Sequence, residues 1–188
     1  MRALWGGFGG THVVPATHSS ESIQSLVNSE SVSSGDTLQF ESGVYVFSDH
    51  VEIDKNLGLC GAEFSEGGPL TVLEKSESAH CRFFSFSGDG GVGSGVRFIA
   101  FDGNGSYANG NGGAIYCYGS FTGGMHNSAF SGNEAGGSGG AIYCYGSFIG
   151  AVHSSIFSGN EAGGAGGAIY CVNFTGESGA FADLGGSY

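Results

Sequence analysis

Four kinds of side chain that could do chemistry recur in this sequence at one fixed interval. His126 is followed by His153, Glu134 by Glu161, Cys117 by Cys144 and Cys171, and Tyr116 by Tyr143 and Tyr170, each 27 residues on. Paired imidazoles can chelate a metal, but a structural site usually takes four ligands, and no Asp or Cys falls beside these two by spacing. Paired carboxylates can cleave a glycosidic bond when they face each other across it. Glu134 and Glu161 instead fall one repeat apart in a loop, where solvated acids are the simpler reading. A column of Cys117, Cys144 and Cys171 could oxidise, but stacked strands carry their side chains side by side, so reduced thiols filling a core are expected. Cys60 and Cys81 could pair, and the sequence does not decide it.

A polysaccharide lyase would need clustered acids for calcium and a base for the proton beside the uronate. Asp36, Asp49, Asp54, Asp89 and Asp102 share no column, and the available bases are Lys55, Lys75, Arg82 and Arg97. Asp54 and Lys55 are adjacent and so point to opposite faces of a strand. The Gly-rich run 88–95 lacks the Lys and the helix of a phosphate loop. No catalytic residue, metal site or cofactor is assigned.

The interval itself defines the architecture. Residues 112–138 and 139–165 agree at 21 of 27 positions, and a partial copy opens at 166. Self-similarity at such a period signals stacked repeats. Each unit holds three short apolar stretches bounded by Gly, Ser and Asn, which read as strands. No unit has the length of 3.6-period pattern that a helical repeat needs. Absence of Leu from the repeat units excludes leucine-rich repeats, and absence of the columnar Asp excludes the calcium-binding nonapeptide. The expected fold is all-β: a parallel β-helix of three strands per coil, with like residues in columns. The inward columns are Phe101, Phe130 and Phe157; Ile115, Ile142 and Ile169; and the three cysteines. Asn104, Asn133 and Asn160 form a column at a turn, where side-chain amides can bond along the stack.

Residues 1–33 read as an N-terminal segment and 34–188 as the β-helix. Between Ser20 and Ser31 the stripe Ile23, Leu26, Val27 predicts a short helix with Ser20 as N-cap, placed to cover the open end of the stack. Strands of the first coils fall within 34–63, with further strands at 70–73 and 82–86. The spacing from Phe101 to Gly112 is two residues longer than in the next unit, which predicts an insertion near Ser106 to Asn109. Charged residues are 12% of the chain and the formal net charge is −12, so a nucleic-acid or anionic-membrane surface is not expected. The first residues do not read as a signal peptide, no stretch has the length of a membrane helix, and the chain ends one strand into a coil. A segment of a longer protein is expected, with no membrane insertion by this segment.

Two resemblances follow. The order Gly-Asp-Thr at 35–37, Asp-Lys-Asn-Leu at 54–57 and Gly-Ala at 61–62 resembles the lead-in of pectate-lyase-like β-helix proteins, which are right-handed. GGAI at 112–115, 139–142 and 166–169, coupled to FxxN at 101–104, 130–133 and 157–160, resembles the repeats of the chlamydial polymorphic outer-membrane proteins. That family implies an autotransporter passenger displayed at the cell surface or outer membrane, or secreted, and acting in adhesion to host cells. The expected function is therefore a non-catalytic adhesive module; the alternative is a fragment of a pectate-lyase-like lyase or glycoside hydrolase. Alternation along the strand places Ile115 and Cys117 inward and Ala114, Tyr116 and Tyr118 outward. Tyr116, Tyr143 and Tyr170, beside Tyr118 and Tyr145, would form an outer aromatic strip. It suits a glycan or a host-surface protein, or it braces the sheet by stacking. The change of Thr122 to Ile149 one unit on argues against a flat ice-binding column.

Overall fold

The structure, a computed structural model, describes residues 9–63, 69–87, 92–93 and 95–176. It is a right-handed parallel β-helix. One sheet stacks β1 (Thr11–Val14), β2 (Thr37–Phe40), β5 (Gly58–Cys60), β8 (Val96–Arg97), β12 (Met125–His126) and β16 (Val152–His153). A second stacks β3 (Gly43–Phe47), β6 (Thr71–Lys75), β9 (Ile99–Asp102), β13 (Ala129–Ser131) and β17 (Ile156–Ser158). A third stacks β4 (Val51–Ile53), β7 (Phe84–Phe86), β11 (Ile115–Cys117), β15 (Ile142–Phe148) and β19 (Ile169–Phe174). The chain visits these sheets in turn, coil after coil. In the last three coils a short fourth strand turns the corner between the second and third sheets: β10 (Tyr107–Ala108), β14 (Glu134–Ala135) and β18 (Glu161–Ala162).

The repeat motifs mark the corners and the core. Gly112, Gly139 and Gly166 have φ of +73°, +72° and +72°, a left-handed turn that admits glycine without a steric penalty. The glycine after each has a different reason. A Cβ on Gly113 would lie 1.9 Å from the carbonyl oxygen of Gly140, and one on Gly140 would lie 2.0 Å from that of Gly167. The coils touch backbone to backbone there, so GGAI encodes a turn and a close approach together. The Phe of FxxN fills the lumen: Phe101 stacks on Phe130 at 4.5 Å and Phe130 on Phe157 at 4.9 Å. Ile115, Ile142 and Ile169 pair in register, as do the three cysteines. A second aromatic ladder, Phe121–Phe148–Phe174, stacks at 4.5 and 5.2 Å. It escaped the sequence reading although Phe121 and Phe148 repeat at the same interval.

The Asn column is real but shorter than expected. Asn133 and Asn160 are buried; Asn133 Nδ2 donates to Phe101 O and Asn160 Oδ1, and Asn160 Nδ2 donates to Phe130 O. Asn104 does not belong to the column. It lies exposed with φ +47°, and its Nδ2 donates to Glu74 Oε1 and Lys75 O. Ser106 takes the column position, because Tyr107 pairs with Glu134. The two extra residues therefore lie between Asp102 and Ser106, ahead of the place the spacing alone suggested. The Ser106 amide is turned to Gly103 O, and Asn133 Oδ1 is left buried without a partner. By periodicity it should accept from residue 106, as Asn160 Oδ1 accepts from the Asn133 amide. The insertion breaks the ladder at that rung.

The N-terminal end is closed as the apolar stripe predicts. Helix α1 (Ser20–Val27) packs on β3 and β4 and buries Ile23 and Val27, with Leu26 partly covered. Its N-cap is Ser19, not Ser20: Ser19 is extended and its side chain accepts from the Ser22 amide, whereas Ser20 is already helical and buried. Strand β1 pairs with β2 in register and so lies within residues 1–33, ahead of the boundary read from the sequence. Asp36, one of the acids weighed as a calcium ligand, fastens β1 instead. Its carboxylate accepts from the amides of Gly10 and Ser33 and meets His12 Nε2 at 2.8 Å. The Ser33 amide, followed by His12, holds the Asp36 carboxyl below its ordinary range.

Phe130 is covered on both faces by its ladder neighbours. Phe130→Ala is expected to cost about 3–5 kcal/mol, read from urea denaturation, as for other buried Phe truncations. A loss below about 0.5 kcal/mol, the scale of an ordinary surface change, would mean that this ladder contributes nothing to the core.

Candidate binding face

The outer surface of the third sheet carries two rows of side chains. In register across β4, β7, β11, β15 and β19 the first row reads Glu52, Ser85, Tyr116, Tyr143, Tyr170. The second, two residues further along each strand, includes Ser87, Tyr118 and Tyr145. Tyr116 and Tyr143 stand 5.4 Å apart, Tyr143 and Tyr170 5.1 Å, and Tyr118 and Tyr145 5.4 Å, with ring planes within 4° of parallel. These separations are too wide for flat rings in full overlap, so the rings are offset like shingles. Each ring covers part of the next and leaves its edge and hydroxyl outward. Tyr118 and Tyr145 are 52% and 57% exposed, while the longer row is half-buried.

All five tyrosines face outward as alternation predicts, but Ala114 does not. It is fully buried. Alternation holds only within the strand, which begins at Ile115. At the corner the Ala141 carbonyl accepts from both Ala114 and Ile115, so the backbone there is not extended. Arg82, weighed in the sequence only as a possible base, lies outside the repeats and joins this face. Its guanidinium sits 4.9 Å over the Tyr116 ring and closes the head of the longer row. Burial pushes the Tyr116 hydroxyl up, partly offset by Arg82; burial followed by the adjacent tyrosines does the same at Tyr143. Among the described residues, no hydrogen bond occupies the hydroxyls of Tyr118, Tyr143, Tyr145 or Tyr170. The inward Tyr45 is different: its hydroxyl donates to Val14 O and Glu41 O, and burial raises it to about 12.

The remaining candidates are brought together only in part. His126 and His153 stack at 5.2 Å on the first sheet, above Arg97 in the same column. Burial, then His153 and Arg97, lowers the His126 imidazole below its ordinary range, which favours the neutral ring. Among the described residues, no three His, Cys, Asp or Glu side chains converge as a metal site. Glu134 and Glu161 pair in register on β14 and β18 and line a shallow hollow with Tyr107. All five cysteines are free thiols. Cys117 and Cys144 are buried; the Cys144 thiol meets Gly119 O at 3.4 Å, and its hydrogen bond with Cys117, together with burial, holds the Cys117 thiol above its ordinary range. Cys60 and Cys81 are half-buried and unpaired. Asp89 and most of the Gly-rich run 88–95 lie outside the described residues. Half-buried His50 lies within 2.9 Å of Asp49 and 2.8 Å of Glu52.

The fold and this face define the class: a β-helical module whose repeats present identical side chains in columns. The particular repeat is identified by comparison. The family model described as Chlamydia polymorphic membrane protein (Chlamydia_PMP) repeat matches residues 98–118, 127–145 and 154–172. Each match runs from the Phe strand, through the Gly corner, onto the strand that bears the outward tyrosines. Three stretches between residues 98 and 172 are thus similar to polymorphic membrane protein repeats, and they are set on a parallel β-helix. A search of curated proteins and one of solved structures gave no significant match. Among the described residues no helix is long and apolar enough to cross a membrane.

Lys75, weighed in the sequence only as a possible base, is a buried cation. It is fully enclosed, donates to Ser106 O at 3.0 Å, and lies 5.6 Å over the Phe83 ring. Burial lowers it from 10.5 to about 8. Between these values the unfolded chain holds the proton that the folded protein has lost, so stability from this group rises with pH from about 8 to about 10.5. The wild type is expected to gain on Lys75→Met across that range, by on the order of 3 kcal/mol in all. Paired denaturation curves at pH values at either end measure it, and a difference independent of pH would place the amine in solvent.

Proposed function

We propose that this chain is an adhesive module that docks the protein carrying it onto a host-cell surface through the tyrosine strip of the third sheet. The observation that carries the reading is the strip's chemistry. Five outward tyrosines are held in two fixed rows, and the hydroxyls of four of them are unoccupied within the described chain. Tyrosine suits a binding surface because a rigid ring with few rotors loses little entropy on contact and keeps a polar tip. The polymorphic membrane protein repeat supports display at a cell surface or outer membrane. Stacking alone does not explain the face, since stacked rings could equally be phenylalanine, as they are in the lumen.

Changing Tyr116, Tyr143 and Tyr170 together to Ser is expected to abolish attachment of the purified module to host cells while the far-ultraviolet circular dichroism of the β-helix persists. The corresponding Phe variant keeps the stack and serves as a folding control. Undiminished attachment by a folded Ser variant would return these residues to bracing the sheet.

A further inference from the structure

The geometry of the strip points to a ligand class. We propose that its ligand is a neutral, linear, equatorially linked glycan of the β-1,4 type, lying along the axis of the β-helix with one sugar per coil. The inference rests on the adhesive reading of the strip and narrows it.

The first argument is commensurability. The phenol rows repeat at 5.1–5.4 Å. An extended peptide laid along the axis presents same-side groups only about every 6.7 Å. A polyproline helix returns to the same side after three residues, about 9 Å. Both drift out of step with the rows within two coils. A β-1,4-linked pyranose chain advances by one ring length per sugar, close to the rise of one coil. It stays straight, because both linkages leave the ring equatorially. Successive sugars turn over, yet each edge carries hydroxyls, so every sugar can meet the same row.

The second argument is the shape and charge of the strip. Tyr116 and Tyr118 lie two residues apart on one strand, about 6.7 Å, which is the width of a single sugar chain and too narrow for a protein interface core. From β7 to β19 the first row reads Ser85, which is buried, then Tyr116, Tyr143 and Tyr170, and Ser87, Tyr118, Tyr145 and the exposed Val172 stand beside it, with no charged side chain in either row. Charge returns at the β4 end with Glu52, and Arg82 is taken up by the Tyr116 ring. A neutral strip on a chain of net charge −12 complements a neutral ligand and disfavours a polyanion. Sugar recognition uses what the strip offers, hydroxyls at fixed intervals and partly exposed ring surface.

The experiment is calorimetric titration of the folded chain with cellohexaose and chitohexaose, with their disaccharides and with maltohexaose, whose α-linkages curl the chain. At least one linear hexamer is expected to bind, its disaccharide at least about tenfold more weakly, and maltohexaose not measurably. Tyr143→Phe keeps the stack but removes the central hydroxyl, and is expected to weaken the hexamer about tenfold with an unchanged melting temperature. Binding of maltohexaose as tight as that of the linear hexamers, or failure of both linear hexamers, overturns the inference. If both fail while the Ser variant still loses cell attachment, the strip is adhesive toward a protein, so only the ligand class is wrong. If attachment survives the Ser variant, the adhesive reading itself fails.

Discussion

Parallel stacking obliges every backbone amide along a strand to find a carbonyl exactly one coil away, and the rest of the molecule follows from that obligation. A coil that is too long or too short by one residue would turn its next strand inside out. The repeats meet this constraint with a constant length, a left-handed Gly at one corner and a backbone contact at the residue after it. Where length changes, the cost is visible. Two extra residues before Ser106 break the amide ladder and leave Asn133 Oδ1 orphaned. The last coil is one residue short between Cys171 and Phe174. The register shifts between Cys144 and Ser147, and Phe174 still lands on Phe148. The slack is taken up on the strand so that the lumen stays in phase.

Constant register also selects which side chains can repeat. Identical residues must lie one above the other about 4.8 Å apart. Aromatic rings and amides gain from this arrangement, whereas like charges directly opposite repel. Residues 112–165 accordingly contain no Asp, Lys or Arg, and their only acids are Glu134 and Glu161, at a corner open to water. In the stacked His pair, burial, followed by His153 and Arg97, lowers the His126 imidazole below its ordinary range and favours its neutral ring. Charges concentrate in the earlier coils, where no residue has to lie over its copy. There a buried cation, Lys75, at the end of its strand just before the corner, reaches Ser106 O. The neutrality of the tyrosine strip is thus a consequence of the repeat, and it limits what the strip can recognise.

The fold was legible because periodicity reports register directly. The Phe, Ile and Cys columns, the outward tyrosines and the capping helix could all be placed from spacing. The errors fall where spacing is not constant. Asn104 fits FxxN in sequence, yet the insertion lies between it and the next strand, and only the pairing of Tyr107 with Glu134 reveals that. Ala114 was placed outward by extending alternation past a strand end. Ser19 and Ser20 are both good caps, and the choice depends on backbone angles. Arg82 and Lys75 lie outside the repeats, where no period marks which face they occupy. The shingled tilt of the tyrosines was illegible for a different reason: it is set by ring packing between coils, which residue order does not encode.

That tilt removes the opposition between a bracing and a binding role. A ladder of rings stabilises the sheet through its faces, and a ligand would be met through edges and hydroxyls. The two roles would use different atoms of the same side chain. The lumen shows what bracing alone requires, since Phe101–Phe130–Phe157 stacks at 4.5–4.9 Å without a hydroxyl. On the outer face the rings stand 5.1–5.4 Å apart, and Tyr118, Tyr143, Tyr145 and Tyr170 carry hydroxyls without a hydrogen bond within the described chain. Solvent can satisfy those hydroxyls, so their presence costs the fold nothing. The fold supplies their spacing. Any selectivity of the strip must therefore come from the coil rise, which is imposed by the backbone. A side-chain substitution would change the strength of the proposed binding, whereas its period could change only if the parallel stack itself were lost.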